Sequence, residues 1–204
     1  MIIFDMEMSG LDIAKCGIWQ IGAIELENPE NQFFQEARID DDDIVYNEPN
    51  AKKTVFDVTG KTEKYFRDKN GQSQKQMIKN FFEWLEKIKT KNLAGQNPWD
   101  IAFLSVRARK YGLKIPFNYR FFDLHSISQL KFLETNGKFY MKKGTSNMGL
   151  GNILKFCGIL YERKIHNALE DAKLTAECLS RILYGKNLFE DYKNSKIPEY
   201  LKSK

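Results

Sequence analysis

Two carboxylates two residues apart, Asp5 and Glu7, interrupt the apolar opening run MIIFDMEMSGLDI. In an extended strand residues i and i+2 share a face, so these acids project side by side. Charges placed that way raise one another's pKa, hold a cation between them, or lie solvated at a strand end. The second group is a single acid, Asp100, which follows Gln96, Asn97, Pro98 and Trp99. Asn97 suits an N-cap and Pro98 the first helical position, which puts Asp100 in a first helical turn. The helix dipole favours an acid there whether or not it has a further task. The third group is IHNALEDAKLTAECL. With Asn167 as N-cap and Glu170 as third helical residue, His166 precedes the cap and Asp171 is fourth, the two positions that meet in a hydrophobic staple. A polar pair at that place suits a metal ligand beside a proton acceptor better than it suits packing.

Each of these groups needs an element to hold it. Ile2, Ile3, Phe4, Met6 and Met8 make both faces of the first strand apolar, as inside an α/β sheet, and Ser9 with Gly10 ends it in a turn at the edge where sites form. Residues 17–26 and 32–39 read as two further strands, separated by a turn at Asn28, Pro29, Glu30 and Asn31, giving a three-stranded meander. The acidic run Asp40–Asp43 reads as solvated, and residues 44–72 as a long loop. Ser73 with Gln76 forms a capping box, and Met77, Phe81, Trp84, Leu85 and Ile88 recur at helical spacing over 73–89. A short strand at 92–95 leads into the Asp100 helix, which runs to Gly112. A strand over 119–123 and a helix over 124–133 follow. His125 reads as a structural histidine. Asn147 is expected to cap a helix carrying Leu150, Ile153, Leu154 and Cys157, ended by Gly158. In the last helix Leu169, Ala172, Ala176 and Leu179 form the buried stripe, with Asp171 at its border.

With 204 residues, 42% of them apolar and 13% aromatic, the chain suits one domain with a full core. Cys16, Cys157 and Cys178 are scattered, which argues against a disulfide framework or a zinc site and for small core residues in a reducing compartment. No basic-then-apolar leader and no membrane-length apolar run is evident, so a soluble, cytoplasmic protein is expected. The formal net charge of +5 is unevenly spread: residues 1–60 hold 4 Lys/Arg against 13 Asp/Glu, whereas 105–164 hold 12 against 3. The first region suits a cation. In the second, Arg107, Arg109, Lys110, Lys114, Lys138, Lys142, Lys143 and Lys155 interleave with Tyr111, Phe139 and Tyr140, the composition of a nucleic-acid surface or of a solvated helix face.

Taken in order, FDMEMSGLD, AGQNPWDIAFL and HNALEDAKLTAE resemble the three motifs of the DEDDh 3′ to 5′ exonuclease superfamily, whose members include polymerase proofreading subunits, ribonuclease T and oligoribonuclease. The likeness spans residues 1–184, including Gly22 and Ala23 in WQIGAIEL and the segment FDVTGKTEKYF, and leaves 185–204 as a polar C-terminal tail that docks or frays. It implies an α/β, ribonuclease-H-like three-layer fold: a mixed five-stranded sheet with an antiparallel three-strand meander, flanked by helices. It also implies Asp5, Glu7, Asp100 and Asp171 as ligands of two Mg²⁺ or Mn²⁺ ions, and His166 as general base. The reaction implied is release of 5′-mononucleotides from single-stranded DNA or RNA 3′ ends. By the same likeness Met8, Ser9, Gly10, Leu11 and Asn97 would meet the substrate. The relatives often carry threonines where this chain has Met8 and Ser9, and their second motif commonly spaces Asn and Asp one residue further apart. A homodimer or a polymerase partner is in keeping with the relatives. Two alternatives stand beside this reading: a haloacid-dehalogenase-like phosphatase, which wants Asp at the position of Glu7, and a non-catalytic nucleic-acid-binding module on the same fold.

Overall fold

In the computed structural model, which describes residues 1–45, 55–161 and 166–202, the first strand, β1 (Ile2–Met8), lies in the middle of a five-stranded sheet. On one side it pairs antiparallel with β2 (Ile18–Glu25), which pairs antiparallel with the edge strand β3 (Asn28–Glu36). On the other side it pairs parallel with β4 (Leu93–Gly95), itself parallel to β5 (Phe121–Asp123). The order β3-β2-β1-β4-β5 is the mixed sheet with an antiparallel meander that the sequence implies, and helices flank it on both faces.

The alternation of β1 sorts the two faces. Ile2, Phe4 and Met6 face a core shared with α3 (Gln74–Glu86) and α4 (Trp99–Lys110). Ile3 faces the other core, built on α5 (Leu124–Asn136), α6 (Leu150–Phe156) and α7 (Ala168–Tyr184). By the same period of two, Asp5 and Glu7 share the face of Ile3, under α7.

Several boundaries differ from the sequence reading. The first hairpin turns at Leu26 and Glu27, and Asn28–Asn31 belong to β3. Pro29 is tolerated there because an edge strand leaves one row of N–H positions unpaired. Within the expected loop 44–72, α1 (Val55–Thr59) and α2 (Glu63–Phe66) are helical, while 46–54 lie outside the described residues. Phe66 from α2 packs edge-on to Trp19, covering the sheet with a third small core. Ser73 caps α3 through the Gln76 N–H, but the Gln76 side chain goes to Asn80 instead of returning to close the box. The capping residue of α6 is Gly149, not Asn147, whose carbonyl accepts from Asn152. Between α5 and α6 lies an unanticipated hairpin, β6 (Met141–Lys142) and β7 (Thr145–Ser146).

After Gly185 the chain packs back on the domain. Glu177 and Arg181 of α7 form a fully buried pair at 2.7 Å, and Glu177 also accepts the N–H groups of Leu188 and Phe189. Arg181 donates to the carbonyls of Cys157 and Tyr192, and the buried Leu201 and the Tyr200 hydroxyl, bonded to the Phe156 carbonyl, tie down the far end. A buried charge is stable only when paired and fully hydrogen-bonded, and here the C-terminal segment supplies those bonds.

Candidate active site

Asp5 and Gly22 are directly opposite in the β1/β2 ladder, as are Glu7 and Gln20, so all four residues occupy the α7 face of the sheet. Gly22 lets the start of α7 approach. A Cβ there would lie 2.2 Å from Leu169 N and 2.3 Å from the Ala168 carbonyl carbon, both backbone atoms. Gln20 completes the contact: its Oε1 accepts the Ala168 N–H at 3.1 Å while its Nε2 donates to Glu36. Asn167, as the sequence suggests, is the N-cap, and its Oδ1 accepts from Leu169 and Glu170. Three first-turn N–H groups are thereby satisfied, and the helix end is held to the strand that faces the acids.

His166 and Asp171 meet across this cap, with His166 Nδ1 at 3.9 Å from Asp171 Oδ2 and 3.6 Å from Glu7 Oε1. One ligand atom from each of Glu7, His166 and Asp171 can be chosen so that all lie within 4.8 Å of one another. Asp171 is 2% exposed, whereas the His166 side chain is 43% exposed, so the acid is sunk in the fold and the imidazole opens to solvent.

Asp100 enters from the other side of β1. α4 starts one residue later than the sequence suggests, at Trp99, with Pro98 in the capping position; Asn97 Oδ1 still accepts the Trp99 N–H, and its Nδ2 donates to Gln96. The short β4 ends at Gly95, where a Cβ would lie 2.9 Å from the Phe4 carbonyl oxygen, so the first turn of α4 arrives beside the last residues of β1. Asp100 is buried, and that burial, with the nearby Glu7 charge, pushes its carboxyl up to about 7. Carboxylates crowded this way form an excess of negative charge that a divalent cation neutralises, and oxygen donors suit Mg²⁺ and Mn²⁺. The donor set therefore fits such an ion.

The residues just beyond Glu7 divide. Ser9 is fully buried: its N–H donates to the Gly17 carbonyl, and its hydroxyl donates to the Ile44 carbonyl and accepts the Gly17 N–H. Met8 is partly buried, and Leu11 is 58% exposed beside it.

Sequence reasoning missed the brace behind this site. Asp43, from the run read as solvated, is 3% exposed and bonds Arg107 of α4 at 2.6 Å, Lys110 at 2.7 Å and the buried Gln74 amide at 2.7 Å. Gln74 in turn accepts the Ile18 N–H. Burial opposes the Lys110 charge, but the bonds to Asp43 and Asp42 outweigh it and raise the ammonium pKa. Two members of the expected nucleic-acid surface, Arg107 and Lys110, are thus committed to the acidic run. The available signal was spacing: Arg107 is seven residues, about two turns, after Asp100 on one helix face.

At the end of the middle strand of a mixed sheet, Glu7, Asp100, Asp171 and His166 form a donor set that suits a divalent cation. A family model described as Exonuclease, the RNase_T family, matches residues 2–179, and the chain belongs to this family, within the DEDDh exonuclease superfamily. No curated protein matches the chain. Family membership supports a nuclease that binds nucleic acid and depends on divalent metal, and leaves the phosphatase alternative without support. Among the described residues no helix is long and apolar enough to cross a membrane.

Proposed function

We propose that the protein is a 3′ to 5′ exonuclease that releases 5′-mononucleotides from single-stranded ends. The observation that carries this reading is the convergence of Glu7, His166 and Asp171, with Asp100 buried against Glu7, in a chain of the exonuclease family. Asp5, Glu7, Asp100 and Asp171 would hold Mg²⁺ or Mn²⁺, two ions in this reading, which when bound supply Lewis acidity and an acidified attacking water. His166 would take a proton at a ring nitrogen from the water that attacks the scissile phosphate, and the charge it gains would lie 3.6 Å from Glu7. The water oxygen bonds phosphorus as the bond to the bridging 3′ oxygen breaks; the departing 3′ oxygen would take a proton from solvent, to which His166 returns the one it received. In this reading Met8, Gly10, Leu11 and Asn97 would meet the terminal nucleotide, and Ser9, bonded to Gly17 and Ile44, would hold the turn that carries Met8, Gly10 and Leu11.

A 5′-labelled single strand incubated with Mg²⁺ or Mn²⁺ should shorten stepwise from its 3′ end and stop on chelation, and matched DNA and RNA strands decide the sugar. Shortening from the 5′ end, or release of inorganic phosphate, would overturn the reading. Asp171→Ala should abolish cleavage while largely sparing strand binding.

A further inference from the structure

The basic surface expected from the sequence loses Arg107 to the interior and Lys110 to ion pairs with the acidic run, and its remaining charge has one conspicuous concentration, the hairpin β6/β7. Lys138, Lys142 and Lys143 are exposed there, and none of the three makes an ion pair with another described residue. Phe139 and Met141 beside them are 50% and 51% exposed. A two-stranded hairpin of this size is marginal by itself, so its position depends on what anchors it.

The anchors tie it, through α5, to the loop that precedes α4. Ser146 Oγ lies 2.7 Å from His125 Nε2, and the Gln129 amide bridges the Tyr140 backbone, accepting its N–H at 2.9 Å and donating to its carbonyl at 3.0 Å. His125 and Gln129 belong to the first turns of α5, which starts directly after β5, at the carboxyl edge of the parallel strands. The His125 N–H itself donates to the Gln96 carbonyl, one residue from Asn97 and four from Asp100. From Gly137 the chain runs back along α5 towards that edge, since Tyr140 reaches Gln129. Met141 pairs with Ser146, so the tip carrying Lys142 and Lys143 continues past the level of His125, roughly 7 Å further at ~3.3 Å per residue.

The turn supports a role beyond connection. Lys143 and Gly144 have φ of 48° and 78°, the two positive values of a type I′ turn. Gly144 adopts this freely. For Lys143 it is an unfavourable region where asparagine or glycine fits better, and Lys143 is the one non-glycine residue with positive φ among the described residues. A charge is kept at the tip at the expense of backbone comfort, the pattern of strain held at functional sites.

We infer that the 138–146 hairpin is an arm that holds the sugar-phosphate backbone of the substrate strand upstream of the scissile end, through Lys138, Lys142 and Lys143. Phosphates complement the three ammonium groups, and the exposed Phe139 and Met141 offer apolar contact to bases, which single strands expose. The inference rests on the exonuclease reading for the identity of the strand, but its test separates the two.

Two measurements on the double variant Lys142→Gln/Lys143→Gln decide it. The first is the affinity for a twelve-nucleotide single strand as a function of salt, in Ca²⁺ or without metal so that the strand survives. The slope of log K against log salt should become shallower by about 1.4, since each lost phosphate contact on a single strand removes ~0.7. The second is hydrolysis of the p-nitrophenyl ester of thymidine 5′-monophosphate, too short to reach the hairpin, which should be unchanged. Lys142→Arg/Lys143→Arg should retain the wild-type slope. An unchanged slope in the glutamine variant, or an equal loss in the arginine variant, overturns the proposal. Failure of the wild-type protein to hydrolyse either the ester or, with Mg²⁺ or Mn²⁺ added, the twelve-nucleotide strand would instead strike at the exonuclease reading, while the salt slope would still decide the hairpin.

Discussion

Gly22→Ala isolates the dependence of the chemistry on how closely α7 meets the sheet. The added methyl would sit 2.2–2.4 Å from three backbone atoms of Ala168 and Leu169. Carbon contacts settle near 3.5–4.0 Å, so sheet and helix must part by about 1.3 Å or more. A backbone cannot swing aside as a side chain does, and Asp171 is in the same first turn of α7 as the displaced atoms. Overpacking of this kind costs about 1–3 kcal/mol, leaving a folded protein. A displacement of about 1 Å among reacting groups costs on the order of 10²-fold in rate. The expected result is therefore a cooperative unfolding transition at modestly lower urea, with cleavage of a labelled strand reduced about a hundredfold. Gly151→Ala is the control: it is helical, nothing lies within 4 Å of its added methyl, and it should keep activity with equal or higher stability. Gly22→Ala protein with near-normal cleavage would refute the argument that this contact sets the site.

Three further outcomes follow from the buried charges. Asp43→Ala leaves Arg107 buried without its carboxylate and should cost about 3–5 kcal/mol in urea unfolding. Glu177→Ala frees the Leu188 and Phe189 amides, so hydrogen exchange at those two positions should rise sharply and proteases should nick the C-terminal segment. Without divalent metal, Asp100 keeps its proton in the folded state up to about 7, above the pH at which the unfolded chain releases it. The folded state thus binds more protons across that window, and stability should fall as pH rises from the ordinary carboxyl range to about 7. Melting in EDTA should show this fall, flattened in Asp100→Asn, and added Mg²⁺ or Mn²⁺ should reverse it in the wild type.

What the sequence by itself determined was local. Strand periodicity put Asp5 and Glu7 on one face, helix-start chemistry put Asp100 and Asp171 in first turns, and the Asn167 cap brought His166 to Asp171, because each relation spans at most one turn or one pleat. Three motifs in order also sufficed for the family and the sheet. Tertiary structure decided the rest. Asp43 looks like one of four solvated acids until Arg107, 64 residues on, is folded against it. Arg107 and Lys110 separate from the exposed hairpin, as partners of the acidic run, only when α4 and α5 are placed. The polar tail is held by Glu177 and Arg181, whose burial no local pattern reveals. Long-range ion pairs carry no periodicity, so their partners become visible only when the chain brings them together.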